Sequence, residues 1–170
     1  ALLNEEAPWR GPSSRRSNIP TPSTSLIGRE QDIADVCEYL NKENIRLVTL
    51  IGPPGIGKTR LSLASAQQSP LAFPDGVFFI PLATIEDPSL VAPFIFQALA
   101  YVETKNKYVI EQIIDGIGDK QMLLVLDNIE HLIDDCAPLV SGLLSACPRL
   151  KIMVTSRESL RVSGEWLYQV

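Results

Sequence analysis

An α/β fold, a three-layer α/β/α sandwich built on a parallel sheet, is what this sequence predicts. Three observations carry that expectation. Residues 46–51, 121–127 and 150–155 are near-continuous apolar runs without alternation, the pattern of strands buried on both faces. Segments with apolar residues at helical spacing lie between the runs, and strands alternating with helices imply a parallel sheet covered on both sides. Residues 52–59, Gly-Pro-Pro-Gly-Ile-Gly-Lys-Thr, join the first run to a helix-forming stretch through a glycine-rich loop.

Taken in order, residues 1–24 are rich in Pro, Ser, Asn and Arg and read as an exposed, flexible linker, with a basic Arg15-Arg16 pair. Residues 25–170 form the predicted domain. Ile33, Val36, Cys37 and Leu40 share one face of a helix over 32–40. The run 46–51 is the first strand, and 59–68 is a good helix sequence after the loop. Residues 76–82 (Gly-Val-Phe-Phe-Ile-Pro-Leu) read as a short buried strand. Asp87, Pro88 and Ser89 open a helix running to about Tyr101, and a second helix fits 109–117. The strand 121–127 ends in Asp127. Ile129, Leu132 and Ile133 suggest a helical turn, and Pro138 is expected to start a separate helical piece, at the first position where its missing N–H is harmless. Leu139, Val140, Leu143 and Leu144 form the apolar face of that piece. The run 150–155 is a further strand, with a last one at 165–170. There is no internal repeat.

Composition narrows the function classes. Apolar residues make up 45% and charged ones 21%, ordinary for a globular α/β chain. No run is long and apolar enough to span a membrane, so no membrane partner is expected. The first residues lack a basic segment followed by an apolar one, so no secretory leader is expected, and Ala1 in place of Met points to a piece of a longer protein. The formal charge of −5 argues against direct nucleic-acid contact by this segment, leaving DNA to other domains of a parent protein. Cys37, Cys136 and Cys147 are odd in number and lack ligand spacing, and His131 is the single histidine. Free thiols and a cytoplasmic location are expected, with no zinc site.

The loop 52–59 is a complete G-x-x-x-x-G-K-[ST] pattern in the required strand–loop–helix context. Polyphosphate must be wrapped by backbone N–H groups, so Gly52, Gly55 and Gly57 leave room and permit turns closed to other residues. Lys58 supplies a point charge for the β- and γ-phosphates, the Thr59 hydroxyl is placed for Mg²⁺, and the helix N-terminus favours the anion. Gly52, Pro53, Pro54, Gly55, Ile56, Gly57, Lys58, Thr59 and Arg60 are the candidate nucleotide-binding run. A Mg-nucleotide site also needs a carboxylate at the end of a neighbouring strand, and Asp127 is the candidate. The strand 76–82 intervenes between the phosphate-loop strand and the Asp127 strand, an order pointing to the ATPase division of phosphate-loop NTPases. No guanine-reading Asn-Lys-x-Asp follows, so ATP or ADP is the expected ligand. Arg157 follows small polar residues at the end of the strand 150–155. Either it reaches the γ-phosphate, where a guanidinium forks onto oxygens, or it pairs with Glu158 at the surface.

Residues 27–30 (Ile-Gly-Arg-Glu), the loop 52–59, residues 124–131 (Leu-Val-Leu-Asp-Asn-Ile-Glu-His) and residues 154–158 (Val-Thr-Ser-Arg-Glu) occur in a characteristic order. Together they resemble the nucleotide-binding domain of STAND NTPases, in the NB-ARC-like branch found in bacterial multidomain transcriptional regulators of the LuxR and SARP type. Relatives in apoptosis and plant immunity share that core. The resemblance covers about residues 20–170. It implies a switch held closed by ADP, opened and self-associating with ATP, and reset by slow hydrolysis. It implies that Ile27, Gly28 and Arg29 lie by the adenine and ribose, that Asp127 serves magnesium, and that Arg157 is a sensor arginine. Winged-helix and helical segments follow this core in the family, and residues 25–170 are expected to lack them.

One departure bears on catalysis. Many ATPases of this division place a second acid after the metal-binding Asp, to activate water. Here that position is Asn128, which cannot act as a base. Glu130 is the nearest substitute, unless it belongs to the first turn of the next helix, where negative charge is favoured anyway. His131 reads as structural. The leading expectation is therefore a regulatory nucleotide-binding module with slow ATP hydrolysis at most. An active oligomeric remodelling ATPase and a degenerate interaction scaffold are the alternatives.

Overall fold

A computed structural model describes residues 17–170 of the chain. The elements are α1 (Glu30–Asn41), β1 (Leu47–Ile51), α2 (Lys58–Gln67), β2 (Val77–Pro81), α3 (Val91–Ala98), α4 (Val109–Ile117), β3 (Leu123–Asp127), α5 (Ile133–Ala146), β4 (Lys151–Ser156) and β5 (Glu165–Gln169). The strands form one parallel sheet in the order β2-β3-β4-β1-β5. Side chains of one strand point alternately to the two faces, and both faces are covered. Ile80, Leu124, Leu126, Ile152 and Val154 pack with α3, α4 and α5, whereas Val48, Leu50, Leu123, Val125 and Met153 pack with α1 and α2. The continuous apolar runs of β1, β3 and β4 follow from this double burial, and the predicted three-layer sandwich is the observed one.

Parallel pairing puts every strand's carboxyl end at one sheet edge. Ile51 is level with Ser156 of β4 and with Gln169 of β5, and Pro81 is level with Asp127. The loop 52–57, Asp127 and Arg157 therefore leave the sheet on the same side, where open α/β sheets bind ligands. The strand that separates β1 from β3 in space is β4. The strand 76–82 intervenes only along the chain, and in the sheet it is the edge strand β2.

Three local expectations change. The segment opened by Asp87 is a 3₁₀ turn, Pro88–Leu90, whose Ser89 N–H donates to the Asp87 carboxylate at 2.9 Å. It leads into α3, which stops at Ala98 rather than near Tyr101, with Ala100 in the left-handed region at φ 55°. Pro138 does not start a helix. It sits inside the continuous helix α5, one turn beyond Asp134. Its ring nitrogen cannot donate to the carbonyl of Asp134, which lies on the exposed side, where water can serve that acceptor.

The N-terminal segment is docked over its described part. Ser17 bridges Val77, and the Asn18 side-chain amide donates to the Phe79 carbonyl at 3.0 Å while its oxygen accepts the Phe79 N–H at 2.6 Å. Where a free linker is expected through residue 24, residues 17–19 are thus tied to the outer edge of β2. The Arg15-Arg16 pair lies outside the described residues. Cys37, Cys136 and Cys147 are free, and Cys37 is only half-buried. Burial pushes the Cys136 thiol up to about 11 and raises that of Cys147. Among the described residues, no helix is long and apolar enough to cross a membrane.

Pro138→Ala restores one intrahelical hydrogen bond to α5 and relieves the ring's crowding of Asp134. It is expected to stabilise the chain by about 1–3 kcal/mol. Thermal unfolding should show a rise of several degrees, and an unchanged or lowered midpoint would mean that α5 is already relaxed around the proline.

Candidate nucleotide-binding site

The loop after β1 turns on two left-handed glycines, Gly55 at φ 78° and Gly57 at φ 101°, and α2 begins at the next residue, Lys58. Residues with a Cβ rarely adopt these angles. Pro53, Pro54, Gly55 and Ile56 are exposed at the loop's tip, and Gly52 is buried. The Lys58 ammonium folds across the loop and donates to the Gly52 and Pro53 carbonyls at 2.7 and 2.9 Å. It is 8% exposed, and among the described residues no carboxylate lies within ion-pair distance of it. A buried cation held by neutral carbonyls is a strong attractor for an anion arriving at the loop.

Asp127 closes the other side. Its Oδ1 accepts from the Thr59 hydroxyl at 2.7 Å and from the Thr155 hydroxyl at 2.6 Å. Thr155 in turn accepts the Asn128 N–H at 2.8 Å. One carboxylate oxygen thus joins the first turn of α2, the end of β3 and the end of β4. The hydroxyl and the carboxylate that meet here are hard oxygen donors, the type Mg²⁺ prefers. Among the described residues no group of three or more His, Cys, Asp or Glu side chains is placed to hold a metal. An ion here would depend on phosphate oxygens and water for its remaining ligands, as Mg²⁺ in such sites does. The donor set therefore fits a magnesium nucleotide.

Glu130, Asn128 and Arg157 form a second group beside Asp127. Asn128 is left-handed at φ 62°, a conformation that Asn tolerates better than most residues. With its amide nitrogen turned inward, it donates to both Glu130 carboxylate oxygens. Glu130 lies in the turn before α5, not on its first helical turn, and its side chain is 16% exposed. Arg157 Nε approaches Glu130 Oε1 at 3.4 Å, whereas Glu158 faces Arg161 at 3.9 Å. The expected surface pair of Arg157 with Glu158 is not the one formed; Arg157 faces Glu130 instead. At 60% exposure the guanidinium keeps freedom to move, and such a pair contributes little stability. His131 Nε2 is 2.7 Å from the Ile85 carbonyl, a tie between two loops.

At the entrance to α1, Arg29 reaches the phosphate loop: Nη2 donates to the Ile56 carbonyl at 3.2 Å. Gly28 is left-handed at φ 78°, and Ile27 is 85% exposed beside it. Arg60 points away from the loop, donating to the Thr24 and Ser25 carbonyls at 3.2 Å. The residue that sequence reasoning missed is Thr155. Its signal was the pair of hydroxyls ending β4, legible only once β4 is known to lie next to β3.

A glycine loop opening a helix from a parallel strand, with a carboxylate two strands away and β4 between, defines a P-loop NTPase core of the ATPase type. The chain matches the family model described as AAA domain over residues 42–161 and belongs to that family. It is an AAA-type nucleotide-binding domain. It is 39% identical over 147 residues to "Uncharacterized protein Rv0894" of Mycobacterium tuberculosis, covering 86% of this chain and 37% of that protein. It is 43% identical over 125 residues to "Putative HTH-type transcriptional regulator Rv0890c" of the same species, covering 74% of this chain and 14% of that one. The chain thus spans a minor part of these relatives. Among solved structures, a STAND protein with a tetratricopeptide repeat sensor from Pyrococcus horikoshii superposes with a TM-score of 0.59 at 16% identity, covering 94% of this chain and 25% of that chain. Cdc6p from Pyrobaculum aerophilum gives 0.61 at 16% identity, covering 88% and 47%. At these identities the likeness shows the fold.

Asp127→Ala is expected to weaken Mg-ATP binding by about tenfold or more, given the loss of a charged ligand. Metal-free ADP should suffer much less. Titrations with and without magnesium separate the two, and equal losses would remove Asp127 from the metal site.

Proposed function

We propose that the chain is the adenine-nucleotide switch module of a larger signalling or transcription-regulatory protein, binding ADP and Mg-ATP and hydrolysing ATP slowly. The observation that carries this reading is the pairing of a complete phosphate-binding set with an absent second acid. Lys58, Thr59 and Asp127 supply the elements for holding a magnesium nucleotide, while the position after Asp127 is Asn128, with no carboxylate to take a proton from water. Glu130 is the remaining candidate base, and its carboxylate is engaged by Asn128 and Arg157.

In this reading Gly52 to Gly57 wrap the phosphates, Ile27, Gly28 and Arg29 border the adenine and ribose, and Arg157 senses the γ-phosphate by leaving Glu130. Magnesium would be held by Thr59 and Asp127 and would neutralise charge on the phosphates. The regulatory assignment, including the STAND and NB-ARC-like branch, draws support from the four ordered motifs and from the 43% identity to a regulator of the helix-turn-helix type. Self-association in the ATP state and a cytoplasmic location belong to the same proposal.

Two measurements test it. Turnover of Mg-ATP by the purified chain should lie well below about one per second, the low end of ordinary enzymes. Fast turnover would favour a remodelling ATPase. Lys58→Ala should abolish nucleotide binding, seen by calorimetry, while the circular dichroism of the fold is preserved. ADP affinity unchanged in that variant would sink the phosphate-loop assignment.

A further inference from the structure

The phosphate loop is held from outside as well as from within. Arg29 precedes α1, and its guanidinium forks. Nη1 pairs with Asp32 Oδ2 at 2.9 Å, and Nη2 donates to the Ile56 carbonyl. The other oxygen of Asp32 accepts from the Tyr168 hydroxyl at 2.6 Å, and Asp35 Oδ2 lies 3.3 Å from the same hydroxyl. Tyr168 belongs to β5, whose end also abuts the loop. The Val170 N–H donates to the Ile51 carbonyl at 2.9 Å, and a Cβ at Gly52 would lie 3.4 Å from the Val170 carbonyl. A continuous hydrogen-bonded chain therefore runs from the edge strand β5 through α1 to the tip of the loop.

The direction of that last bond matters. A trans peptide is planar, and its C=O and N–H point opposite ways. Arg29 draws the Ile56 carbonyl toward α1, so the N–H of the same peptide, which belongs to Gly57, is turned to the other side of the loop. Backbone N–H groups are what such a loop offers to phosphate. Gly55 and Gly57 leave the segment many conformations, and ordering it on binding would cost affinity. A guanidinium already fixed by a carboxylate reduces that cost. Asp32 suits the task, because its carboxyl is held below the usual carboxylate range by the Tyr168 hydroxyl first and by Arg29 second.

We infer that Arg29 is a positioning residue for the phosphate loop: braced by Asp32 and Tyr168, it fixes the Ile56–Gly57 peptide before any ligand arrives. The identity of that ligand rests on the nucleotide reading above, but the brace does not. This role is separate from any contact Arg29 makes with a base or sugar. It also makes Tyr168, on the strand furthest from Asp127 in the β1 half of the sheet, part of the site's preorganisation.

Hydrogen exchange of the ligand-free chain tests the inference without reference to nucleotide. In Arg29→Gln and in Tyr168→Phe, amides of residues 52–58 should exchange about 3–10-fold faster than in the parent chain, the range expected for one lost hydrogen bond. Peptides from β3 and α5 should be unaffected. The double variant should be no faster than Arg29→Gln alone, because both changes break one chain. Mg-ADP affinity should fall in both single variants, and by at least as much in Arg29→Gln, which in the nucleotide reading also borders the ribose, as in Tyr168→Phe. Unchanged loop exchange in Arg29→Gln would overturn the brace, and so would additive effects in the double variant. A parent chain that binds no ADP, yet shows the coupled exchange, would overturn the nucleotide reading and leave the brace standing.

Discussion

The two hydroxyls on Asp127 Oδ1 are the interaction on which the site depends. Three elements that are distant in sequence end within hydrogen-bond reach of one oxygen: α2 through Thr59, β3 through Asp127 itself, and β4 through Thr155. Hydrogen bonds to a charged acceptor are worth about 1.5–3 kcal/mol each. The Asp127 side chain is almost wholly buried, so leaving it unpaired would be costly. The sheet order serves this arrangement. Because β4 is inserted between β1 and β3, the Thr155 hydroxyl near its end meets the carboxylate. The same hydroxyl of Thr155 orders the next residue by accepting from the Asn128 N–H.

That ordering leads from binding to chemistry. The left-handed turn at Asn128 sends the chain back toward β4, where Ile129 N–H meets the Thr155 carbonyl at 3.2 Å. Glu130 is thereby brought beside Arg157. There its carboxylate faces the Asn128 amide and the Arg157 guanidinium. Lys58 is held by carbonyls of its own loop and Thr59 by Asp127, while Glu130 is held on the far side by Asn128 and Arg157.

Much of this was legible in the sequence, for physical reasons. β1, β3 and β4 read clearly because burial on two faces leaves no room for polar alternation, and the loop 52–59 reads clearly because few other tasks need Gly, Lys and Thr in that order. What was not legible is set by packing across the sheet. Nothing local to Thr155 says that it faces Asp127. Nothing local to Arg157 says that Glu130, rather than the adjacent Glu158, is its partner. Pro138 misled because proline is favoured at the start of a helix, while α5 tolerates it one turn inside by leaving a single carbonyl to water. Residues 17–19 misled differently, since a Ser/Asn/Pro composition describes how a segment meets water and not whether its backbone finds a sheet edge.

The contact of Asn18 with β2 reaches beyond local order. β2 is an edge strand of Val, Phe, Phe, Ile and Pro, four of them buried, and its outer N–H and C=O groups would be a template for another chain. Asn18 presents a side-chain amide to Phe79 that matches both of those groups at once, and Ser17 extends the match by one residue. The segment thus stands in for a sixth strand without contributing one. It occupies the outer side of β2 at Val77 and Phe79, the backbone groups through which a further strand would otherwise add.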